Sequence, residues 1–399
     1  VEIELPAAFQ RVVADGAYLN FFIKPGDLIE EVVQSVRAAG SKYGSGGTGI
    51  GLTALLEHTS INPNASPHVG RARNALIGDV LSRLLRFEGY DLEVRYFVND
   101  VGKQIALLVI AADDKEISFG DLLSLYVEAN ERLKNDPALE QETFDLLRAL
   151  EEGDTEIRRR FAAIVNVCVQ GQRSILEHIG IHHDQYDHES EYLWSGTTKQ
   201  VVCRLRETGR LSTDEEGRSI LDLSGYDLPS RNPVVVLERS DGTSMYALRD
   251  IAYSLDKIAT GANRNLIVLG EDQRLHHRQL AAALDLLGMS APEVVHYAFV
   301  SLDDASMSTR SGNAVLLEDF MTEATERASA ALAERGAEID QARAEAVAHS
   351  AIRYSILRVA NEKMVRFDFE EALSFEGDSG PYLLYGYARM CALLRKYGK

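Results

Sequence analysis

Residues 60–79 read SINPNASPHVGRARNALIGD, and their reading decides the fold. A polar, proline-punctuated stretch leads to His68-Val69-Gly70. Apolar residues then recur at helical spacing, with Val69, Ala72, Ile77, Val80, Leu81, Leu84 and Leu85 on one face, which predicts a helix over 70–88. Upstream, LTALLEHTS (52–60) is a short apolar run bounded by turn residues and reads as a buried strand. Downstream, DLEVRYFVND (91–100) reads as a second strand. Strand, helix and strand in this order make a βαβ unit, hence a parallel sheet and an α/β fold.

A parallel sheet binds ligands beyond the carboxyl ends of its strands, at helix N-termini. There the free N–H groups and the helix dipole favour anions. Gly70 has no Cβ, so a flat base can approach the backbone, and His68 can donate a hydrogen bond to a phosphoryl oxygen. Taken alone, a His-x-Gly pattern is equally that of an ordinary helix entry with a histidine near the cap.

The 399 residues, 45% hydrophobic, are enough for two or three domains. The longest apolar run, IALLVIAA (105–112), is too short to span a bilayer, so no membrane partner is expected. The opening VEIELPAAFQ has neither the basic flank nor the apolar core of a secretory signal. Cys168, Cys203 and Cys391 form no CxxC pair, which argues against a disulfide framework or a zinc site and for a reducing, cytoplasmic setting. The net charge of −19 argues against a protein whose main task is gripping nucleic acid, while leaving room for a local basic face. Val1 in place of methionine makes a piece of a longer chain the leading expectation.

Five regions follow in order. Residues 1–45 form an opening unit closed by GSKYGSGGTG (40–49), and 46–114 carry the first half of the sheet. Residues 115–180 are an acidic helical insertion. In 181–315 the sheet resumes with VVVLERS (234–240), NLIVLGED (265–272) and EVVHYAFVSL (293–302), with helices from Tyr246 and from about His276. Residues 316–399 are helical. HIGI (178–181) repeats the signature pattern but follows QRSILE, so Gly180 is expected to end a helix. His178, His182, His183 and His188 fit no single helix face, and no metal site is expected there.

The string EHTSINPNASPHVGRARNALIGDVLSRLL strongly resembles the first signature of the class I aminoacyl-tRNA synthetases in its arginyl form. HVGR ends in Arg71, a variant that goes with the archaeal-type branch, as does YFVNDVGKQIA (96–106). ASMSTRSGN (305–313) resembles the second signature loop. GDSGPYLLYGYARMCALLRK (377–396) resembles the junction where an anticodon-binding helical bundle starts. The resemblance covers essentially the whole chain. It implies a Rossmann-like parallel sheet with a helical insertion and a C-terminal helical region. Residues 1–45 would then be the tail of an N-terminal additional domain. The implied activity is ATP-dependent activation of arginine as an aminoacyl-adenylate and transfer to tRNA, with Mg²⁺ accompanying ATP and a monomer as the working state.

The same resemblance assigns residues. His68 stabilises the α-phosphoryl oxygens and Gly70 admits the adenine, with Arg71, Asn74 and His276 on the ATP side. Met307, Ser308 and Arg310 close on the pyrophosphate. Chemistry of this kind rests on positioning and preorganised positive charge. Tyr246 and Asp250, four apart at a helix start, share a face. Together with Glu189 they match a clamp for guanidinium, a planar cation that carboxylates meet as a fork. Asn62 and Gln273 resemble the residues that hold the substrate's backbone end, and Asn20 is expected to reach the same pocket. The chain departs from the family at Ser306 and Ser311, where basic residues are usual, and at Ala65, where some members carry a compensating lysine. Arg310 is then the loop's only cation, with Arg71 and Arg73 as candidate helpers. Two alternatives stay open: a free-standing paralogue that passes an activated amino acid to a small amine, and a non-catalytic synthetase-like binding protein.

Overall fold

A computed structural model describes residues 5–113, 115–229, 233–302, 315–336 and 340–398. The chain opens with a hairpin, β1 (Phe9–Asp15) and β2 (Tyr18–Ile23), followed by helix α1 (Pro25–Ala39). None of residues 5–48 is buried, so this unit contributes nothing to the core.

The βαβ unit comes next: β3 (Thr53–Glu57), α2 (Val69–Phe87) and β4 (Asp91–Val98), with β3 and β4 parallel from Thr53 opposite Asp91. Four helices then precede the next strand: α3 (Lys103–Ala112), α4 (Leu122–Leu133), α5 (Pro137–Glu152) and α6 (Thr155–His178). Asp136 and Asp154 cap α5 and α6 by accepting from two backbone N–H groups each. Gly180, at φ +80°, follows the end of α6, as its left-handed conformation requires.

Strand β5 (Gln185–His188) joins the far edge of the sheet beside β4. After the short helix α7 (Glu191–Trp194) and α8 (Thr197–Glu207), a small antiparallel sheet forms from β6 (Leu211–Thr213), β7 (Ser219–Asp222) and β8 (Val234–Glu238). Helix α9 (Tyr246–Ala259), β9 (Arg264–Gly270), α10 (Arg274–Leu286) and β10 (Glu293–Tyr297) complete the parallel sheet. Its order is β10-β9-β3-β4-β5. The first three strands in the chain therefore run outward to one side and the last two to the other, which makes the β3/β9 boundary a topological switch point.

Two sequence expectations are corrected. The run 234–240 does not belong to the parallel sheet: β8 pairs antiparallel with β7. The run 293–302 is two strands, because Ala298 turns away and its N–H donates to the Asn361 carbonyl at 2.8 Å. Its second part, β11 (Val300–Leu302), pairs with β12 (Val365–Phe367). Between them run α11 (Leu317–Glu334) and α12 (Gln341–Leu357), and α13 (Phe369–Ala372) and α14 (Gly380–Lys396) close the chain. One continuous core joins α2, β4, α3, α6, α11 and α12 through residues such as Leu76, Val98, Leu108, Val165, Phe320 and Ile352. Among the described residues no helix is long and apolar enough to cross a membrane.

Candidate active site

A cleft of about 300 Å³ opens at the switch point. The ends of β3, β4 and β9 form its floor, and the starts of α2 and α10 and one face of α9 surround it. Thr59 and Ser60, which follow β3, hold left-handed backbones at φ +75° and +44°. Such conformations cost about 1–3 kcal/mol each and persist only where neighbours over-determine them. Here the Thr59 N–H donates to Asn74 Oδ1 at 2.6 Å, and Thr59 Oγ1 lies 2.8 Å from His58 Nδ1. The loop beyond is held from two sides. The Tyr96 hydroxyl accepts from the Ile61 N–H at 2.9 Å, and Gln172 Nε2 donates to the carbonyls of Asn62 and Ala65 at 3.0 and 2.9 Å.

His68 occupies the N-cap position of α2 with an extended backbone and makes no side-chain cap. Burial, with help from the charge of Arg71, pushes its imidazole below the usual histidine value, so it is neutral at pH 7. Its backbone pairs with Leu316: the Val69 N–H donates to the Val315 carbonyl at 2.9 Å, and the Leu317 N–H to the Pro67 carbonyl at 2.7 Å. The chain leaving the second signature is thus stitched to the start of α2. Met307, Ser308 and Arg310 themselves lie outside the described residues. A Cβ on Gly70 would come within 2.9 Å of His68 Cε1, so the missing side chain gives room to the imidazole.

Arg71 lines the cleft, but two of its neighbours do other work. Arg73 is fully buried, and its guanidinium donates to four carbonyls: Ala298 (2.6 Å), Lys363 (2.7 Å), Ala360 (2.9 Å) and Val359 (3.1 Å). It fastens α2 to the turns around β11 and β12, with both Nη atoms engaged there. Asn74, expected to bind the nucleotide, spends both ends of its amide on protein, since Nδ2 donates to the Val268 carbonyl at 2.9 Å. It clamps the loop after β3 to β9 while lining the cleft beside Arg71.

On the opposite wall, Asp250 Oδ2 and His276 Nε2 lie 2.5 Å apart, and the His276 ring sits 5.1 Å from that of Tyr246. His276, expected on the ATP side, lines the cleft and partners Asp250 there. Asn62 and Gln273 line the cleft, with Asn99 Nδ2 donating to Asn62 Oδ1 at 3.2 Å. Glu189 is not among the lining residues. It is 1% exposed, and Arg249 Nε donates to its Oε1 at 2.5 Å while Oε2 is buried without a partner. Burial pushes its carboxyl up to about 7; Arg249 opposes this, and Asp250 and Asp100 add to it. Asn20 is exposed on β2, opposite Val13 and away from the lining residues, so its expected place in the pocket is corrected.

One pair escaped the sequence reading. Lys257 and Glu57 form a buried ion pair that lines the cleft, with the Lys257 ammonium 4.3 Å from the centre of the Tyr253 ring. Asp250, Tyr253 and Lys257 follow one face of α9 at helical spacing, a signal the sequence does contain. The histidine-rich string disperses: His183 packs on His58, His178 on His349, and His188 Nδ1 lies 2.9 Å from Asp100. Among the described residues no three His, Cys, Asp or Glu groups converge as a metal site would need.

Comparison with known proteins agrees with this arrangement. Residues 33–369 match the family described as tRNA synthetases class I (R), catalytic domain. The chain is 37% identical over 397 residues to an arginine–tRNA ligase of Methanocaldococcus jannaschii, covering 97% of this chain and 69% of that one. It is 39% identical over 394 residues to the arginine–tRNA ligase of Methanospirillum hungatei, covering 96% and 69%. The fold superposes on Thermus thermophilus arginyl-tRNA synthetase with a TM-score of 0.80 at 27% identity, over 100% of this chain and 72% of that one. The chain belongs to the arginyl class I aminoacyl-tRNA synthetase family.

Proposed function

We propose that this protein activates arginine with ATP as an aminoacyl-adenylate and transfers it to tRNA. One observation carries the reading: Arg71, from the opening turn of α2, and an acidic wall built on Asp250 line the same cleft at the sheet's switch point. A triphosphate suits the first and a guanidinium the second. The carboxylate of arginine attacks the α-phosphorus, and pyrophosphate leaves. His68 donates to the phosphoryl oxygens, and Arg71 adds charge beside it. Met307, Ser308 and Arg310 of the second signature act on the pyrophosphate. Asp250, Tyr246 and Glu189 take the guanidinium, while Asn62 and Gln273 hold the backbone end. Mg²⁺ accompanies the ATP, carried by its phosphates. We read residues 1–45, 46–114, 115–180, 181–315 and 316–399 as the successive regions of a cytoplasmic, monomeric enzyme.

The test is arginine-dependent exchange of pyrophosphate into ATP, with and without tRNA, followed by charging of tRNA with labelled arginine. Exchange and charging support the reading. Exchange without charging, together with product on a small amine, would replace it with the paralogue. No exchange under any condition would replace it with a binding protein.

A further inference from the structure

Glu189 is held by an arginine of the protein itself, and that arginine is anchored outside the cleft. Arg249 Nε donates to Glu189 Oε1 at 2.5 Å. Its Nη1 donates to the Ser244 carbonyl at 2.6 Å and to Ser244 Oγ at 2.9 Å. Ser244 in turn donates from N–H and Oγ to Glu151 Oε1 at 2.7 and 2.6 Å. Glu151 belongs to α5, and the same end of that helix is docked by Trp194, whose Nε1 donates to the Leu150 carbonyl at 2.9 Å. The chain Glu151–Ser244–Arg249–Glu189 therefore runs from the helices between β4 and β5 to the guanidinium clamp. Asp250, the next residue after Arg249, faces the cleft.

The contact on Glu189 is single. A forked pair would occupy both carboxylate oxygens; here Oε2 stays buried and unpartnered. We propose that Arg249 is a positioning residue for arginine recognition: it occupies one oxygen of Glu189 and leaves the other oxygen for the substrate guanidinium. This rests on Glu189 being part of the clamp. The charged groups facing Glu189 are Arg249 and Asp250 from α9 and Asp100 from the turn after β4. Two of the three are acids that oppose its ionisation, so Arg249 is the cation that sustains it. Without Arg249, Glu189 would take up a proton at neutral pH and could no longer meet a cation.

The test is direct titration of the full chain with L-arginine, without ATP or tRNA, by calorimetry from pH 6 to 9 in two buffers of different ionisation enthalpy. In the parent protein binding strengthens as pH rises through about 7 and releases about half a proton at pH 7, because Glu189 is about half protonated there. Arg249→Met should weaken binding at pH 7 at least tenfold, move the inflection up by at least one pH unit and release close to one proton. Arg249→Lys should fall between the two. Glu189→Gln should abolish the inflection, and adding Arg249→Met to it should change affinity less than threefold.

If Glu189→Gln binds arginine as the parent does, the clamp itself is wrong. If Glu189→Gln weakens binding but Arg249→Met leaves affinity and inflection unchanged, the clamp stands and the positioning role falls. Tighter binding by Arg249→Met would mean that Arg249 competes with the substrate, which also overturns the proposal. Should Arg249→Met not fold, Ser244→Ala removes one of the acceptors that hold Arg249. A threefold loss with an upward inflection supports the proposal, and parent behaviour refutes it.

Discussion

Asp250 and His276 meet across 2.5 Å in the lining of the cleft, one from α9 and the other from α10. The pair fixes the carboxylate that an incoming guanidinium would meet. Charge-assisted hydrogen bonds contribute about 1.5–3 kcal/mol. Asp250→Asn should therefore weaken arginine binding roughly 10- to 150-fold while leaving the KM for ATP within a factor of about two. Arginine and ATP titrations of pyrophosphate exchange measure the two separately. An equal loss for both substrates would move Asp250 out of the guanidinium clamp.

Gly70→Ala should separate folding from chemistry. The added Cβ lies in the space of the His68 ring, 2.9 Å from Cε1, so the imidazole must move while the backbone need not. Alanine is a better helix former than glycine, by about 1 kcal/mol at most. The variant should melt at or above the parent temperature. If His68 meets the phosphoryl oxygens, exchange should slow by about 10²–10³-fold, the cost of removing one such donor. Parent-like exchange rates would show that the position of His68 does not matter.

Lys257→Met should be among the most damaging single changes in the cleft. Glu57 is buried, and burial already raises its carboxyl against the pull of Lys257. Removing the ammonium strands a buried carboxylate, at a cost of about 3–5 kcal/mol. Because protonation then relieves Glu57, the loss should be largest at alkaline pH and shrink as pH falls. Glu57→Gln added to Lys257→Met should recover most of it. Urea denaturation of the single and double variants at two pH values measures the cycle.

Glu189 carries a stability cost that substrate should offset. Its folded value of about 7 lies above the ordinary 4.5, so the folded state holds a proton that the unfolded chain has lost between those values. Its contribution is fully present below pH 4.5 and is lost as pH rises through 7, a difference of about 3 kcal/mol. Between pH 4.5 and 8.5 the ligand-free parent should therefore lose about 3 kcal/mol that Glu189→Gln does not lose, a gap between the two proteins that widens with pH. Saturating arginine should close the gap by stabilising the parent more than the variant. Denaturation curves at pH 5, 7 and 8.5, with and without arginine, decide it.

The elements legible in the sequence are those whose own residues carry the pattern. The apolar runs at 52–60 and 91–100 and the helical stripe between them became β3, β4 and α2 with shifts of one to three residues at their ends. Strand β5, Gln185–His188, was illegible because QYDH has no apolar run; it is a strand only because β4 offers it an edge. The run 234–238 was legible as a strand but not as to its sheet, since apolar residues do not name their partner.

Local pattern and signature order determined by themselves that this is a parallel α/β nucleotide-binding fold, that His68 and Gly70 open its first helix, and that Asp250 and Tyr246 share a helix face. Only the tertiary structure decided which polar groups remain available. Arg73 and Asn74 stand beside the signature yet donate to carbonyls more than 190 residues away in the chain. Arg249 turned inward to hold Glu189 rather than outward to the cleft. The reason is physical: periodicity reports which face of an element is buried, whereas a hydrogen bond is spent only when folding brings a specific partner within about 3 Å, and nothing in the linear order records that meeting.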